Sequence, residues 1–146
     1  MMAAGRAAER GRRVLLLEKN AALGAKLKIT GGGRCNVTNA EEDEQILLSH
    51  YGEAKPFLHS PFSQFGVKKT FSFFESHDLP LVVQAHKRAF PKTERAIDVF
   101  RALENYMARG GVEVRAKANV ERIVSRNGRI DAVVVDHKNI TASSFI

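Results

Sequence analysis

A chain of 146 residues with 44% hydrophobic side chains can form one domain with its own core, which argues against disorder. Its single cysteine, Cys35, excludes a disulfide framework and a paired redox motif, so we expect a reducing, cytoplasmic setting. No run approaches the roughly 18 apolar residues of a membrane span, and the apolar run Val14–Leu17 is too short for a signal peptide.

Positive charge is concentrated at the start of the chain. The net charge is +7; residues 1–40 carry eight Lys/Arg and two Glu, which gives +6, whereas residues 41–66 carry five acids and one lysine, which gives −4. A basic segment can attract nucleic acid or a phosphate-bearing cofactor. A solvated basic face is the simpler explanation, and charge alone leaves all three open.

The first forty residues are predicted to form a helix, a strand and a glycine-bearing loop. Met1–Arg10 is rich in alanine and precedes Gly11, a typical residue just after a helix end, and its small side chains allow close packing on a sheet. Arg13–Leu17 is a continuous apolar run, which fits a strand buried on both faces of a parallel sheet. Lys19–Asn39 is predicted as a loop that contains the triplet Gly31–Gly33.

Residues 41–92 contain several short predicted elements. Glu41–Tyr51 is predicted as a short helix, and Lys55–Gly66, with two prolines, as irregular. Val67–His77 has helical apolar spacing. Leu79–Gln84 and Arg88–Phe90 are predicted as two short strands on either side of a turn.

Residues 93–146 begin with the clearest predicted helix, Glu94–Arg109, with Thr93 as its N-cap and Gly110–Gly111 as its end. Its predicted buried face comprises Ala96, Val99, Phe100, Leu103 and Met107.

After this helix the apolar residues alternate with polar ones, as in a strand, first in Val112–Arg115. Val120–Ser125 and Arg129–Val135 are predicted to form a hairpin around the dipeptide Asn127–Gly128. A further turn at Asp136–Asn139 leads into a last apolar stretch.

One part of this order matches a dinucleotide-binding unit. In such a unit a helix follows a glycine-rich loop, and the next strand ends in an acid that binds the ribose about 20 residues after the loop. Met1–Arg10 and Arg13–Leu17 match the helix and the second strand, and Glu18 matches the acid. A glycine directly before Met1 gives the expected spacing, so the first strand and its loop are expected to be missing. Glutamates that end strands without binding a nucleotide are common, and that alternative stays open.

The triplet Gly31–Gly33 is a second candidate site. Consecutive glycines leave backbone N–H groups uncovered, so that they can surround an anion or lie under a flat ring. Arg34 can pair with phosphate, and Asn36 and Thr38 offer donors and acceptors for polar ring atoms. A flexible glycine loop with a surface arginine is the alternative explanation.

Residues 18–39, EKNAALGAKLKITGGGRCNVTN, closely resemble the signature of the BaiN/YhiN-like flavoproteins, which are NAD(P)/FAD-dependent, aminoacetone-oxidase-like oxidoreductases. The resemblance continues at Arg88–Pro91 and Gly111–Val114 and covers essentially the whole chain. Lys87 stands where the family usually has glycine. Family members normally begin with a strand and a GxGxxG-type loop before the position of Met1, and continue after Ile146 into an Ala-Thr-Gly-Gly segment.

The resemblance implies an α/β fold, a Rossmann-type FAD/NAD(P)-binding domain of the glutathione-reductase-like kind in which a β-meander replaces one crossover helix. On that basis residues 1–146 are expected to be a partial FAD-binding domain, a fragment that lacks the first strand and the GxGxxG loop. Residues 1–40 supply the Rossmann helix, second strand and glycine loop, residues 41–92 an insertion, and residues 93–146 a helix and the meander.

The resemblance also implies FAD as the cofactor and assigns its contacts. Glu18 holds the adenosine ribose, Lys19 and Lys26 lie near the adenine or phosphate end, and the backbone of Val120 grips adenine. The pyrophosphate and flavin are lined by Gly31, Gly32, Gly33, Arg34, Cys35, Asn36 and Thr38. The flavin carries the redox step, while the protein binds and orients it.

Several features are left unassigned by the sequence. No catalytic acid or base can be named, and the small-molecule substrate is open, as is the choice of NADH, NADPH or oxygen as the partner of the flavin. The histidines show no metal-ligand spacing, and Cys35 is expected to be structural because no second cysteine is present.

Two alternatives to a flavin domain remain. The first is a basic nucleic-acid-binding module, which has the charge but no recognised motif. The second is an inactive truncated remnant, in which the strand Arg13–Leu17 lacks a neighbour and exposes an apolar edge. On that view the isolated chain binds FAD poorly and tends to aggregate.

Overall fold

The computed structural model describes all residues, Met1–Ile146. The chain divides into two compact units, the first formed by Met1–Ala25 with Leu103–Ile146 and the second by residues 26–102. None of the helices combines the length and the apolar composition that crossing a membrane requires.

The first unit contains one helix, the end of a second, and two small sheets. In chain order its elements are α1 (Met2–Glu9), β1 (Leu15–Leu17), the last part of α6 (Ala96–Arg109), β5 (Glu113–Arg115), β6 (Val120–Arg126), β7 (Arg129–Val135) and β8 (Lys138–Thr141).

Helix α1 ends where the sequence predicted. Gly11 has a φ of +75°, its N–H donates to the Ala8 carbonyl, and the N–H of Arg12 donates to the Ala7 carbonyl. These two bonds form a Schellman motif, which requires a left-handed residue directly after the helix and therefore favours glycine.

The small residues of α1 contact a helix, whereas a sheet was expected. A methyl group placed on Gly5 would lie 2.4 Å from two ring carbons of Tyr106, and one placed on Gly110 would lie 2.7 Å from the Ala8 Cβ. The Tyr106 hydroxyl donates to the Glu9 carboxylate at 2.8 Å. Gly5 and Ala8 are therefore small because the end of α6 lies directly against them.

The predicted parallel strand is present at Leu15–Leu17. It pairs in parallel with β5, from Leu15 opposite Glu113 to Leu17 opposite Arg115. Its three leucines are half-buried, so the prediction of a strand fully buried on both faces is wrong. With a single neighbouring strand, this sheet provides less cover than a larger parallel sheet does.

The three strands β6, β7 and β8 form the expected antiparallel meander. Asn127 and Gly128 both have positive φ, 51° and 72°, as the type I′ hairpin turn requires. Asp136 and His137 make the second turn with φ of 49° and 60°, so this turn places two non-glycine residues in the left-handed region.

The second unit contains most of the short elements. They are α2 (Ala25–Gly33), β2 (Thr38–Asn39), α3 (Glu44–Ser49), α4 (Lys55–Gln64), α5 (Val67–Glu75), β3 (Leu81–Gln84), β4 (Arg88–Pro91) and the first part of α6. Strands β2, β4 and β3 form an antiparallel sheet in that order, with β4 in the centre.

Two boundaries in this unit differ from the predictions. Lys55–Gln64 forms the helix α4, although its two prolines favoured irregular structure. The first proline lies in the first turn, where its missing N–H leaves no helical bond unmade, and Pro61 lies inside the helix. Helix α6 starts at Ala96 and not at Glu94, because Glu94 has a φ of +53°, which a helix cannot include. Thr93 is therefore not its N-cap.

Each unit has its own apolar core. The predicted buried face of α6 is confirmed, with all five residues at most 8% exposed. In the second unit the best-buried large side chains are Leu48, Phe90 and Val99, with Phe90 in the central strand β4. Phe90 lies next to the glycine triplet, since a methyl group on Gly31 would lie 3.3 Å from its ring.

Candidate functional site

The segment Lys19–Asn39, predicted as a loop, contains a short helix that breaks at Thr30. The element Ala25–Gly33 is helical up to that residue, where ψ changes to 151°. Gly31, Gly32 and Gly33 then follow with φ of +57°, +64° and +83°. We refer to Gly31–Gly33 as the glycine turn. Three successive left-handed residues strain any other residue type, so this backbone path depends on glycine.

Hydrogen bonds close the glycine turn at its base. The Cys35 N–H donates to the Thr30 carbonyl at 3.0 Å, and the Arg34 N–H donates to the Gly31 carbonyl at 3.4 Å. The Thr30 hydroxyl donates to the Leu27 carbonyl at 2.8 Å, which ties the turn to the preceding helical segment.

The outer side of the glycine turn is open. All three glycines are exposed, and a methyl group on Gly32 or Gly33 would meet no atom within 4 Å. A methyl group on Gly31 would instead lie 3.0 Å from the Asn36 backbone nitrogen and 3.3 Å from the Phe90 ring. Gly31 therefore faces the protein, whereas Gly32 and Gly33 leave room for a ligand beside the backbone.

Arg34 is held against the protein by three contacts. Its guanidinium carbon lies 4.3 Å from the centre of the Phe90 ring. One terminal nitrogen donates to the Gln84 side-chain oxygen at 3.1 Å and lies 3.5 Å from a Glu94 carboxylate oxygen. The Gln84 amide in turn donates to the same Glu94 carboxylate. Arg34 therefore has partners on the protein, although its side chain remains 37% exposed.

The Cys35 side chain points into the protein. It is 7% exposed, and burial raises the pKa of its thiol, partly opposed by a hydrogen bond with Thr30. A buried thiol that keeps its proton is a poor nucleophile, which agrees with the structural role expected for it.

The remaining predicted residues of this unit are accessible. Asn36 and Lys26 are exposed, and Thr38 is half-buried at the start of β2. The Val37 N–H donates to the Ala89 carbonyl at 2.8 Å, so the segment after the glycine turn joins the central strand directly.

In the first unit, Glu18 lies at the carboxyl end of β1. Its N–H donates to the Arg115 carbonyl. Its Oε1 atom accepts from both the backbone N–H and the side-chain amide of Asn20, at 2.7 and 2.6 Å. The carboxylate is thereby oriented by the chain that follows it, while Lys19 is exposed.

The same unit brings Glu18 close to the segment that leads to Val120. The Ala118 N–H donates to the Glu18 carbonyl, and the Lys117 N–H donates to the Asn20 carbonyl, both at 2.9 Å. Val120 begins β6 two residues later and is 41% exposed. The two residues assigned to the adenosine end thus lie on neighbouring backbone segments.

The turn between β3 and β4 contains Lys87, which stands where the family usually has glycine. His86 and Lys87 have φ of +60° and +53°, so Lys87 adopts the conformation that glycine prefers. The Lys87 ammonium pairs with the Glu41 carboxylate, and this hydrogen bond lowers the pKa of Glu41.

Three residues beside the glycine turn were missed by the sequence analysis as members of the site, namely Gln84, Phe90 and Glu94. Phe90 belongs to Arg88–Pro91, a segment that carried part of the family resemblance but was given no role in the site. Gln84 was placed in a strand and Glu94 in a helix, and neither pattern indicated that both side chains reach Arg34.

A family model described as the HI0933-like protein Rossmann domain matches residues 1–146. A 3-dehydro-bile acid delta(4,6)-reductase from Clostridium scindens is 31% identical over 110 residues, which cover 75% of this chain and 26% of that protein. The chain thus spans about a quarter of this relative. The resemblance found in the sequence is confirmed by both comparisons.

Two solved structures share the fold. An L-amino acid deaminase from Proteus vulgaris superimposes with a TM-score of 0.50 at 16% identity, covering 96% of this chain and 42% of that one. The L-amino acid deaminase from Proteus myxofaciens, in complex with anthranilate, gives a TM-score of 0.50 at 17% identity over 96% and 40%. At this identity the likeness concerns the α/β fold alone.

Proposed function

The chain belongs to the HI0933-like Rossmann-domain family, and from this we propose that it forms part of a flavin-dependent oxidoreductase, to which it contributes FAD-binding residues. The observation that supports the proposal best is the glycine turn. Its left-handed backbone is exposed, and the space beside Gly32 and Gly33 is open. A Cβ atom at either position would occupy that space.

The turn fits the chemistry of a flavin dinucleotide. A pyrophosphate or a flat ring can approach a glycine backbone closely, and consecutive N–H groups in left-handed turns favour an anion. We propose that the backbone from Gly31 to Asn36 lines the pyrophosphate and flavin, with Thr38 beside it. The exposed Lys26 adds positive charge near the phosphates.

The adenosine end is proposed to lie at Glu18. Asn20 occupies Oε1 of this carboxylate, which leaves Oε2 to accept from the ribose hydroxyls. The backbone of Val120 is proposed to contact adenine, since it follows the segment that is hydrogen-bonded to Glu18. Lys19 is exposed beside it and can approach the adenine or phosphate end.

When bound, FAD supplies the electron transfer, and the residues of this chain bind and orient it. A related chain is a reductase, so we propose that the substrate is a small organic molecule and that NAD(P)H is the candidate electron donor. We propose that Cys35 has a structural role, because its side chain is only 7% exposed.

The proposal is tested by fluorescence anisotropy of FAD titrated with the chain. We expect weak but saturable binding, because the chain spans 26% of the related reductase. Glu18→Gln should weaken binding about tenfold through loss of charge-assisted hydrogen bonds. Gly32→Ala should weaken it because the methyl group fills the open space. Glu53→Gln, an exposed acid outside both segments, is the control for net charge.

The alternative class of protein is tested in the same assay. Unlabelled single-stranded DNA or RNA should fail to compete with FAD. Salt-dependent binding of a labelled oligonucleotide, together with no FAD binding, would contradict the flavin proposal and favour a basic nucleic-acid-binding module.

A further inference from the structure

The side chains around Arg34 form one connected cluster, which we call the Arg34 clamp: Arg34, Gln84, Phe90 and Glu94. Arg34 stacks on Phe90, donates to Gln84 at 3.1 Å, and lies 3.5 Å from the carboxylate of Glu94. Gln84 also donates to Glu94. The Phe90 ring therefore supports the face of the guanidinium, while the oxygens of Gln84 and Glu94 hold one of its edges.

The clamp and the glycine turn share the Phe90 ring. Phe90 is 1% exposed in the central strand β4. The backbone of Gly31 approaches the same ring so closely that an added methyl group would lie 3.3 Å from it. The Phe90 ring thus lies against Gly31, the first residue of the glycine turn, and against the side chain of Arg34, the residue directly after the turn.

The backbone at Glu94 is in an unfavourable conformation that places its side chain in the clamp. Glu94 has a φ of +53°, and its N–H donates to the Pro91 carbonyl at 2.8 Å in a tight turn. Non-glycine residues adopt this conformation only where surrounding contacts hold them. The bonds from Gln84 and Arg34 are such contacts.

We propose that Gln84 and Glu94 are positioning residues, which hold Arg34 on Phe90 and thereby fix the glycine turn in its open conformation for FAD. This inference rests on the proposed function. Arg34 acts through the turn, because one of its terminal nitrogens already donates to Gln84 and lies 3.5 Å from the Glu94 carboxylate. Neither Gln84 nor Glu94 needs to touch the cofactor.

Two readouts test the clamp. Hydrogen exchange of the Cys35 amide reports closure of the turn, since this N–H bonds to the Thr30 carbonyl. FAD anisotropy reports the dissociation constant. The variants are Glu94→Ala, Arg34→Lys and the conservative Glu94→Gln, with Glu53→Gln as the control for charge.

Glu94→Ala and Arg34→Lys should each speed Cys35 amide exchange several-fold and weaken FAD binding about two- to fivefold. Glu94→Gln keeps an oxygen for Arg34 and Gln84, so both readouts should fall between those of Glu94→Ala and the unsubstituted chain. Glu53→Gln should change neither. If the clamp only stabilised the fold, the Cys35 amide exchange rate would change, whereas the FAD affinity of fully folded protein would stay the same in every variant.

Three outcomes are distinguishable from this expectation. Tighter FAD binding in Glu94→Ala would overturn the inference, since it would show that Arg34 is a ligand that Glu94 restrains. Unchanged exchange and unchanged affinity in Glu94→Ala would overturn the clamp while the proposed function stood. Absence of FAD binding by the unsubstituted chain would overturn the proposed function itself, whatever the exchange rates.

Discussion

The two neighbouring substitutions Gly31→Ala and Gly32→Ala should have different effects on stability. Both residues have left-handed backbone, with φ of +57° and +64°. They differ in their surroundings, because a methyl group on Gly31 meets Asn36 and Phe90 whereas one on Gly32 meets nothing within 4 Å. Each variant is therefore the control for the other.

The expected magnitudes follow from these two conditions. An alanine in the left-handed region costs about 1–2 kcal/mol, and this applies to both variants. At Gly31 the methyl group would lie 3.0 Å from the backbone nitrogen of Asn36, so main chain must move. Overpacking of this kind adds about 1–3 kcal/mol. Gly31→Ala should thus lose about 2–5 kcal/mol of unfolding free energy, and Gly32→Ala only about 1–2 kcal/mol.

The measurement is urea unfolding of the three chains, followed by far-UV circular dichroism, with equal denaturant slopes as the condition for comparison. FAD anisotropy on the same samples should show the opposite order of effects among folded chains. Gly32→Ala should lower FAD affinity more than Gly31→Ala does, because only at Gly32 does the methyl group fill the open space. Equal destabilisation by both alanines would refute the reasoning, because it would mean that Gly31 is not packed on Phe90.

Three further predictions concern other parts of the chain. Gly5→Ala should destabilise by about 1–3 kcal/mol in urea unfolding because its methyl group would lie 2.4 Å from the Tyr106 ring, whereas helix propensity alone predicts a gain of about 1 kcal/mol; a gain would contradict the packing. Cys35 should react with Ellman's reagent slowly when folded and quickly in urea. Because burial raises its folded pKa, stability should fall as pH rises above the ordinary thiol value. Lys87→Gly should raise the pKa of Glu41, measured by NMR, since the Lys87 hydrogen bond lowers it. The stability that this depressed pKa gives is present at neutral pH and is lost as pH falls through the pKa. An unchanged pKa would contradict the pairing.

Features with a local cause were predictable from the sequence. Asn127–Gly128 specified a type I′ turn and hence the hairpin of β6 and β7, because both residues tolerate positive φ. Gly11 specified the end of α1 by the same property. The helical spacing of apolar residues in α6 gave its buried face, since that face is set by periodicity.

Features that depend on distant partners were not predictable. The small residues of α1 indicated a close neighbour, but no local pattern identified Tyr106 as that neighbour. The two prolines of Lys55–Gln64 favoured irregular structure, and packing overrode that preference. The sequence placed Glu94 in a helix. Its left-handed φ and its hydrogen bond with Gln84 arise only in the folded unit, so no local pattern indicated them.

The candidate site shows the same division. The glycine turn could be located from three consecutive glycines, and Glu18 from its place after an apolar strand. The pairing of Arg34 with Glu94 could not, since the two residues meet only through the folding of β3 and β4.

The central proposal is that the glycine turn contacts the flavin and pyrophosphate part of FAD and that, in the other compact unit, Glu18 contacts the adenosine part. The most direct test is a ¹H–¹⁵N correlation spectrum of the labelled chain, titrated separately with AMP, FMN and FAD. AMP should shift the amides around Glu18 and Ala118, FMN those of Gly31–Gly33, and FAD both groups. FAD that leaves both groups of amides unchanged, or shifts only amides elsewhere, would contradict the account.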